Sequence, residues 1–134
     1  MSKILARKGN IQAIDIGPGF TYSIGPFSSA EMTELLLESF NVVSPEWTPH
    51  PDSVLIPIIR HEGTLVAACS ILRPCWVHQL AVAKKHRQLG LARYLLSVSQ
   101  RLLELPYLMA VTDGTTTEAG HEFWSAMKFK EIGV

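Results

Sequence analysis

Six residues, Arg87-Gln-Leu-Gly-Leu-Ala92, have the types and spacing to hold an anion. They follow an apolar run ending in Leu80-Ala-Val82. From Leu91 onward, Leu91, Tyr94, Leu95, Val98 and Leu102 fall on one helical face. A strand, a turn around Gly90 and then a helix gather a row of unpaired backbone N–H groups at the positive end of a helix dipole. Such a place suits a pyrophosphate. Gly90 and Ala92 leave the amides unshielded, so phosphate oxygens can come close. Lys84, Lys85, Arg87 and Arg93 crowd the same turn, and no Asp or Glu occurs between positions 63 and 103. The chain as a whole has twelve basic and twelve acidic residues, so its positive charge is gathered locally. An anionic ligand is expected. Arg87 and the two lysines either pair with its phosphates or only solvate the turn.

The elements that must position this turn can be read along the chain. Ile11 to Ile16 reads as a first strand, Gly17-Pro-Gly19 as a turn, and Phe20 to Ile24 as a second strand. Ser28-Ser-Ala-Glu31 is a capping box opening a helix whose apolar face carries Met32, Leu35, Leu36 and Phe40. Residues 41–52, with Pro45, Pro49 and Pro51, are expected to be a non-helical loop. Residues 53–59 and 64–72 flank His61-Glu-Gly63 as a β-hairpin, and Pro57 shifts the first of them toward an edge or a bulge. A strand over Trp76 to Val82, a helix from about Arg87 to Leu103 and a strand over Tyr107 to Thr112 form a right-handed crossover. A helix over 115–127 and a strand over 129–134 complete the order. The pattern specifies an α/β (α+β) fold, one domain over 1–134, with helices on both faces of a central sheet.

At 134 residues, 47% hydrophobic and 18% charged, the chain suffices for one packed core and is too apolar for disorder. Zero formal net charge argues against a general nucleic-acid coat or a polybasic membrane binder. The turn also lacks aromatic side chains on which bases stack. No apolar run reaches a membrane span. Met1-Ser-Lys lacks the apolar segment of a secretory leader, so a cytoplasmic location is expected. Cys69 and Cys75 read as buried free thiols, and no His/Cys spacing fits a metal site.

Taken with their order, these motifs resemble the GNAT superfamily of acyl-CoA N-acyltransferases, whose signature is Gln/Arg-x-x-Gly-x-Gly/Ala after a strand ending in Ala-Val. Here Arg87-Gln-Leu-Gly90-Leu-Ala92 follows Leu80-Ala-Val82. The likeness continues in the preceding hairpin Arg60-His-Glu-Gly-Thr-Leu-Val-Ala67 and in Phe123-Trp-Ser-Ala-Met-Lys-Phe129, similar to the aromatic pair and terminal Phe of the family's last helix. Residues 53–134 match in order and spacing; the first third matches only in element type. The resemblance implies a mixed, mostly antiparallel sheet and a single acyltransferase domain using acetyl-CoA. Arg87, Gln88, Leu89, Gly90, Leu91, Ala92 and Arg93 would cradle the diphosphate. In the family, the strand corresponding to Trp76–Val82 bulges and splays from the next one. Backbone groups of Leu80, Ala81 and Val82 would then pair with the pantetheine arm like an added strand.

The resemblance implies direct attack by a primary amine of a small molecule or peptide on the thioester. An amine near pKa 10 is mostly protonated at neutral pH, so a base or water relay is needed. His78 is the candidate base. Period two puts His78, Leu80 and Val82 on one face, and the alternative is a hydrogen-bonded His at the sheet end. Glu62 reads as a solvated turn residue. The family's usual acid, a Tyr second in the aromatic pair, is Trp124 here, and Thr116 stands where Asn is common. Water, Tyr94 or Tyr107 remain as proton donors, and Trp124 can pack against pantetheine or acceptor. Trp47 and His50, in the proline-rich loop, either line an acceptor pocket or pack on the surface. The family's further C-terminal strand is absent, so the strand expected near Ile11 to Ile16 or a second subunit would cover that sheet edge, and a homodimer is expected. The alternative to an enzyme is a degenerate domain of the same kind that binds acyl-CoA without turnover and acts through protein contacts.

Overall fold

A computed structural model describes residues 2–12, 14–40 and 46–132. In chain order the elements are β1 Lys3–Lys8, β2 Phe20–Ser23, α1 Ser29–Phe40, β3 Ser53–Leu55, β4 Ile58–His61, β5 Thr64–Leu72, β6 Trp76–Val82, α2 Leu91–Leu103, β7 Tyr107–Thr112, α3 Glu118–Ala126 and β8 Lys130–Glu131. The strands form one sheet in the order β2-β4-β5-β6-β7-β1-β8, with β3 also paired to β5. Every pairing is antiparallel except β6 with β7. The mixed, mostly antiparallel sheet with helices on both faces is the expected architecture.

Local chemistry explains most boundaries. Ser28 N–H donates to Glu31 Oε1 (2.9 Å) and Glu31 N–H donates to Ser28 Oγ (3.1 Å), so the capping box opens α1 as its sequence requires. Glu31 also receives Arg60 from β4, at 2.5 and 3.2 Å, which ties the helix start to the sheet. The strand expected over 53–59 divides into β3 and β4 around Pro57. Proline has no N–H for the ladder, and its carbonyl instead accepts the Cys69 amide at 3.3 Å. Glu62 (φ 50°) and Gly63 (φ 87°) form the tight hairpin turn between β4 and β5.

The two long helices lie on opposite faces of the sheet. Ile58 is the cross-strand partner of Ala68, and Arg60, two residues on, reaches Glu31, so that face carries α1. Tyr22, partner of Ile59, meets Tyr94 of α2 edge-on at 5.8 Å, and Cys69 is hydrogen-bonded to Ser99 of α2, so the other face carries α2. Ile58, Ile59, Ala67, Ala68 and Ile71 are sealed between them, with Leu35 from one helix and Leu95 and Leu96 from the other. Cys69 and Cys75 are buried and free, as read from the sequence. No helix among the described residues is long and apolar enough to cross a membrane.

The chain's beginning differs from expectation. The first strand is Lys3–Lys8, and Ile11 and Ile16 are in no strand. Beyond Gly9 the backbone amide of Ile11 is satisfied by a side chain, Gln100 Oε1 at 2.7 Å, where a ladder partner would be needed for a strand. β1 pairs with β7 along its whole length, from Lys3↔Thr112 to Lys8↔Tyr107, and with β8 on its other side. Residues 3–8 thus cover the outer side of β7, and β8, paired to β1 at Leu5 and Ala6, becomes the edge strand. The last strand is shorter than read, and its end at 133–134 lies outside the described residues, as does the 41–45 part of the proline-rich loop.

Candidate active site

Two irregularities of β6 make the site. Its parallel pairing with β7 is confined to Trp76↔Met109, sealed by Met109 N–H donating to the Cys75 carbonyl at 3.0 Å. Beyond that point the β6 edge from His78 to Val82 has no strand partner on the β7 side among the described residues. On its other side, Ser70 pairs with His78 but Ala68 pairs with Ala81, so Cys69 opposes both Gln79 and Leu80. The extra residue is a β-bulge, with Gln79 in the left-handed region at φ 54°. The bulge and the parting of the strands are those the family resemblance implies.

The bulge corrects the face assignment. Cross-strand partners share a face, so His78 goes with Ser70, Ala68 and Ala81, whereas Val82, partner of Ala67, lies on the other face. The extra residue shifts the period by one, and His78 no longer shares a face with Leu80 and Val82. It stands on the α1 side, where its ring meets His50 edge-on at 5.5 Å. His78 is half-buried, and its Nδ1 is buried without a partner. Burial first, and the neighbouring His50 second, lower its pKa below the ordinary imidazole value, so it is neutral at pH 7. A neutral, under-bonded imidazole can accept a proton. The reading of His78 as a hydrogen-bonded sheet-end residue has no partner at Nδ1 to support it.

The turn after β6 begins with a short 3-10 turn, Lys84–His86, and α2 starts at Leu91, four residues later than the Arg87 expected. The delay has a backbone cause: Gln88 (φ 63°) and Gly90 (φ 82°) are left-handed, which ends any helical run through them. No side chain caps α2. By contrast, Thr117 caps α3 by accepting the Gly120 N–H at 3.0 Å, and Ser28 caps α1. The helix that carries the anion motif is thus the one left open at its N-terminus. Gly90 has a second reason to be glycine: a Cβ there would lie 2.3 Å from Ile14 Cδ1.

The basic residues divide by role. Arg87 donates to the carbonyls of Val82 (3.1 Å, from Nε) and Ser39 (3.1 Å, from Nη2), clamping the end of β6 to the end of α1. Ser39 Oγ also donates to the Val82 carbonyl, at 3.3 Å, so that oxygen is already engaged. Arg93 donates from Nε to the Gln12 carbonyl at 2.7 Å. The amide of Lys84 donates to Glu38 Oε1 at 2.9 Å. Arg87 and Arg93 have no carboxylate partner among the described residues, so their charge is not neutralised. A cleft of about 500 Å³ runs beside the turn, lined in part by Glu38, His61, Lys85 and His86.

Of the other candidates, Trp47 is an anchor. It is buried, its backbone N–H donates to Thr33 Oγ1 at 2.8 Å, its carbonyl accepts the Ser29 hydroxyl, and its indole Nε1 donates to Gln79 Oε1 at 3.0 Å. Little of the ring is left to line a pocket. Gln79 was not singled out by sequence reasoning; a lone amide inside the apolar run of β6 was the available signal. Trp124 stacks edge-on with Phe123 (5.1 Å) and Phe129 (4.7 Å). Tyr107 precedes Met109, on the closed side of the β6–β7 junction, and bonds the Cys75 thiol; Tyr94 faces Tyr22. Neither has a contact that brings it to His78. Thr116 Oγ1 accepts the Asp113 amide at 3.0 Å and orders the loop before α3, and Glu62 is an exposed turn residue. No group of three or more metal-ligating side chains occurs among the described residues.

No family model matches the sequence, and no curated protein matches it either. Solved structures do. A GCN5-related N-acetyltransferase from Sphaerobacter thermophilus is 13% identical with a TM-score of 0.68, over 98% of this chain and 48% of that one. A GNAT-family protein from Novosphingobium aromaticivorans is 18% identical with a TM-score of 0.67, over 98% and 59%. A GCN5-related N-acetyltransferase from Kribbella flavida is 15% identical with a TM-score of 0.59, over 96% and 53%. The chain spans only about half to three-fifths of the length of these proteins. At such identities the likeness is one of fold.

Proposed function

We propose that this chain, which has the GCN5-related N-acetyltransferase fold, moves an acetyl group from acetyl-CoA to the primary amine of a small molecule or peptide. The observation that carries the reading is the conjunction of a bulged, half-unpaired β6 with an uncapped α2 directly after it. An extended amide-bearing arm is the natural partner of an open strand edge, and a diphosphate that of an open helix N-terminus. The residues fit coenzyme A: the β6 edge at Leu80 and Ala81 would take the pantetheine, and the Gln88–Ala92 amides with Arg93 the phosphates. Arg87 serves chiefly to hold β6 and α1 in register.

Bound acetyl-CoA would supply an activated acyl thioester. His78, neutral and facing the α1 side, accepts the proton that the attacking amine must lose. Trp47, through Gln79, holds the bulge that sets the direction of His78. A second reading, coenzyme binding without turnover, draws on Trp124, which has no acidic proton where the family commonly has Tyr.

Calorimetric titration with coenzyme A tests binding, and free-thiol release from acetyl-CoA with a panel of amines tests turnover. His78→Ala should leave coenzyme affinity within twofold and slow thiol release by about a hundredfold. In the wild type, kcat/KM should fall as pH drops through the lowered His78 pKa, with that limb lost in the variant. Binding without thiol release across the panel favours the second reading. Absence of binding refutes both.

A further inference from the structure

We propose that the acceptor amine carries an apolar chain, laid across Val111, Ile4 and Ile132 on the sheet face that also bears His78. The inference rests on the reading of His78 as the base in acetyl transfer and names the class of its substrate.

The register places these residues. Trp76 and Met109 are parallel partners and share a face, so His78 and Val111, each two residues on, share it too. Val111 is opposite Ile4, and Ile132 N–H donates to the Ile4 carbonyl at 2.9 Å, which carries the row across β1 to the end of β8. His78 and Val111 stand on opposite banks of the place where β6 and β7 part. A thioester held in that split would have the base on one side and the aliphatic row on the other.

The surroundings of His78 leave that direction open. Toward β5 its face holds Ser70, Ala68 and Ala81, all buried, and His50 meets its ring edge-on at 5.5 Å. Across the split Val111 is 49% exposed, Ile4 39% and Ile132 40%. Three large aliphatic side chains on adjacent strands make a contiguous strip, unlike apolar residues scattered singly over a surface. With strands about 4.8 Å apart, the strip runs about 10 Å from β7 to β8.

The chemistry of the strip selects its occupant. In β6, β7, β1 and β8 the one acidic residue is Glu131, which shares the opposite face with Leu5 and meets Lys3 at 3.8 Å. The face of the strip carries Lys8 and Lys130 instead. The second ammonium of a diamine would find no carboxylate on these strands and two like charges. A peptide laid flat on aliphatic side chains would leave its backbone N–H groups without partners. An alkyl chain needs neither, and gains by leaving water.

Butylamine, hexylamine and octylamine have nearly the same basicity, so comparing their acetylation by free-thiol release reads the chain alone. kcat/KM should rise about twofold per methylene, because a flat strip buries one side of the chain. Hexanediamine should be about tenfold poorer than hexylamine. Ile4→Thr combined with Val111→Thr keeps β-branched residues at exposed strand positions, so the variant should fold. It should raise KM for octylamine at least threefold, with coenzyme A affinity by calorimetry unchanged. Octylamine added to the coenzyme-loaded wild type should shift the amide resonances of Ile4, Val111 and Ile132, a result that supports the strip even without turnover. Equal rates along the series, or a preference for the diamine, overturns the strip and leaves acetyl transfer standing. So does a wild-type dimer that the double variant turns into monomers, which assigns the strip to a second copy. Absence of both thiol release and octylamine-induced shifts also overturns the proposal, while calorimetry with coenzyme A judges the coenzyme reading separately.

Discussion

Replacing Gly90 by alanine measures how much of that residue's role belongs to the chain itself. Two costs follow from the structure. Gly90 has φ 82° and ψ 12°, a left-handed conformation that costs an L residue about 1–2 kcal/mol. The new methyl would also stand 2.3 Å from Ile14 Cδ1 and 2.9 Å from its Cγ1, well inside contact, so Ile14 must turn away. Because Ile14 is already 44% exposed, that movement gives up only a few tens of Å² of apolar contact, about 0.5–1 kcal/mol at about 25 cal/mol per Å². Gly90→Ala should therefore destabilise the fold by about 2 kcal/mol, read from the midpoint of urea unfolding with an unchanged slope. In an Ile14→Ala background the second cost disappears and the first remains. The double-mutant cycle should then give a coupling of about 0.5–1 kcal/mol. Equal effects of Gly90→Ala in both backgrounds would refute the contact. An effect under about 0.5 kcal/mol in both would refute the left-handed turn as well.

Two further outcomes follow from burial and charge. Hydrogen bonds from Arg60, and next from the Ser28 amide, hold the Glu31 carboxyl down at about 2. A depressed carboxylate contributes stability that is complete above the unfolded value near 4.3 and is lost as pH falls from there to about 2. The wild type should lose more stability over that window than Glu31→Gln, which at pH 7 should itself cost about 1–2 kcal/mol by chemical denaturation, discounted for the partial exposure of the pair; parallel pH profiles would contradict this. Burial pushes the Cys69 thiol up to about 12, despite its bond to Ser99. At pH 8 iodoacetamide should label Cys69 only after denaturation, by mass spectrometry, and rapid labelling of the native chain would show the site to be open.

The parts of this fold that could be read from the sequence are those whose signals are local. Trp76–Val82 and Tyr107–Thr112 have the boundaries expected, because short apolar runs between breakers leave few alternatives. The Ser28–Glu31 box marks the start of α1 because capping chemistry is confined to four residues. What escaped depends on partners far away. Lys3–Lys8 carries three charges in six residues and is a strand only because β7 and β8 flank it. Ile11 looks like strand and is buried, but its amide goes to Gln100, 89 positions on. The same holds for the site. The open helix terminus was legible in Arg87–Ala92, whereas the bulge at Gln79 is defined only by the register of β5 against β6, and that single residue moved His78 to the face opposite Val82. Nothing local announces that Ile14 rests on Gly90.

The placement of β1 bears on the order in which the molecule can be made. Lys3 is opposite Thr112, so β1 finds this neighbour only after more than a hundred further residues have been synthesised. Until then one flank of the nascent sheet has no occupant, while β3 to β6, joined by short connections, can already assemble. Late closure by an earlier segment means that a polypeptide halted before β7 leaves Lys3–Lys8 without the ladder partner that makes it a strand.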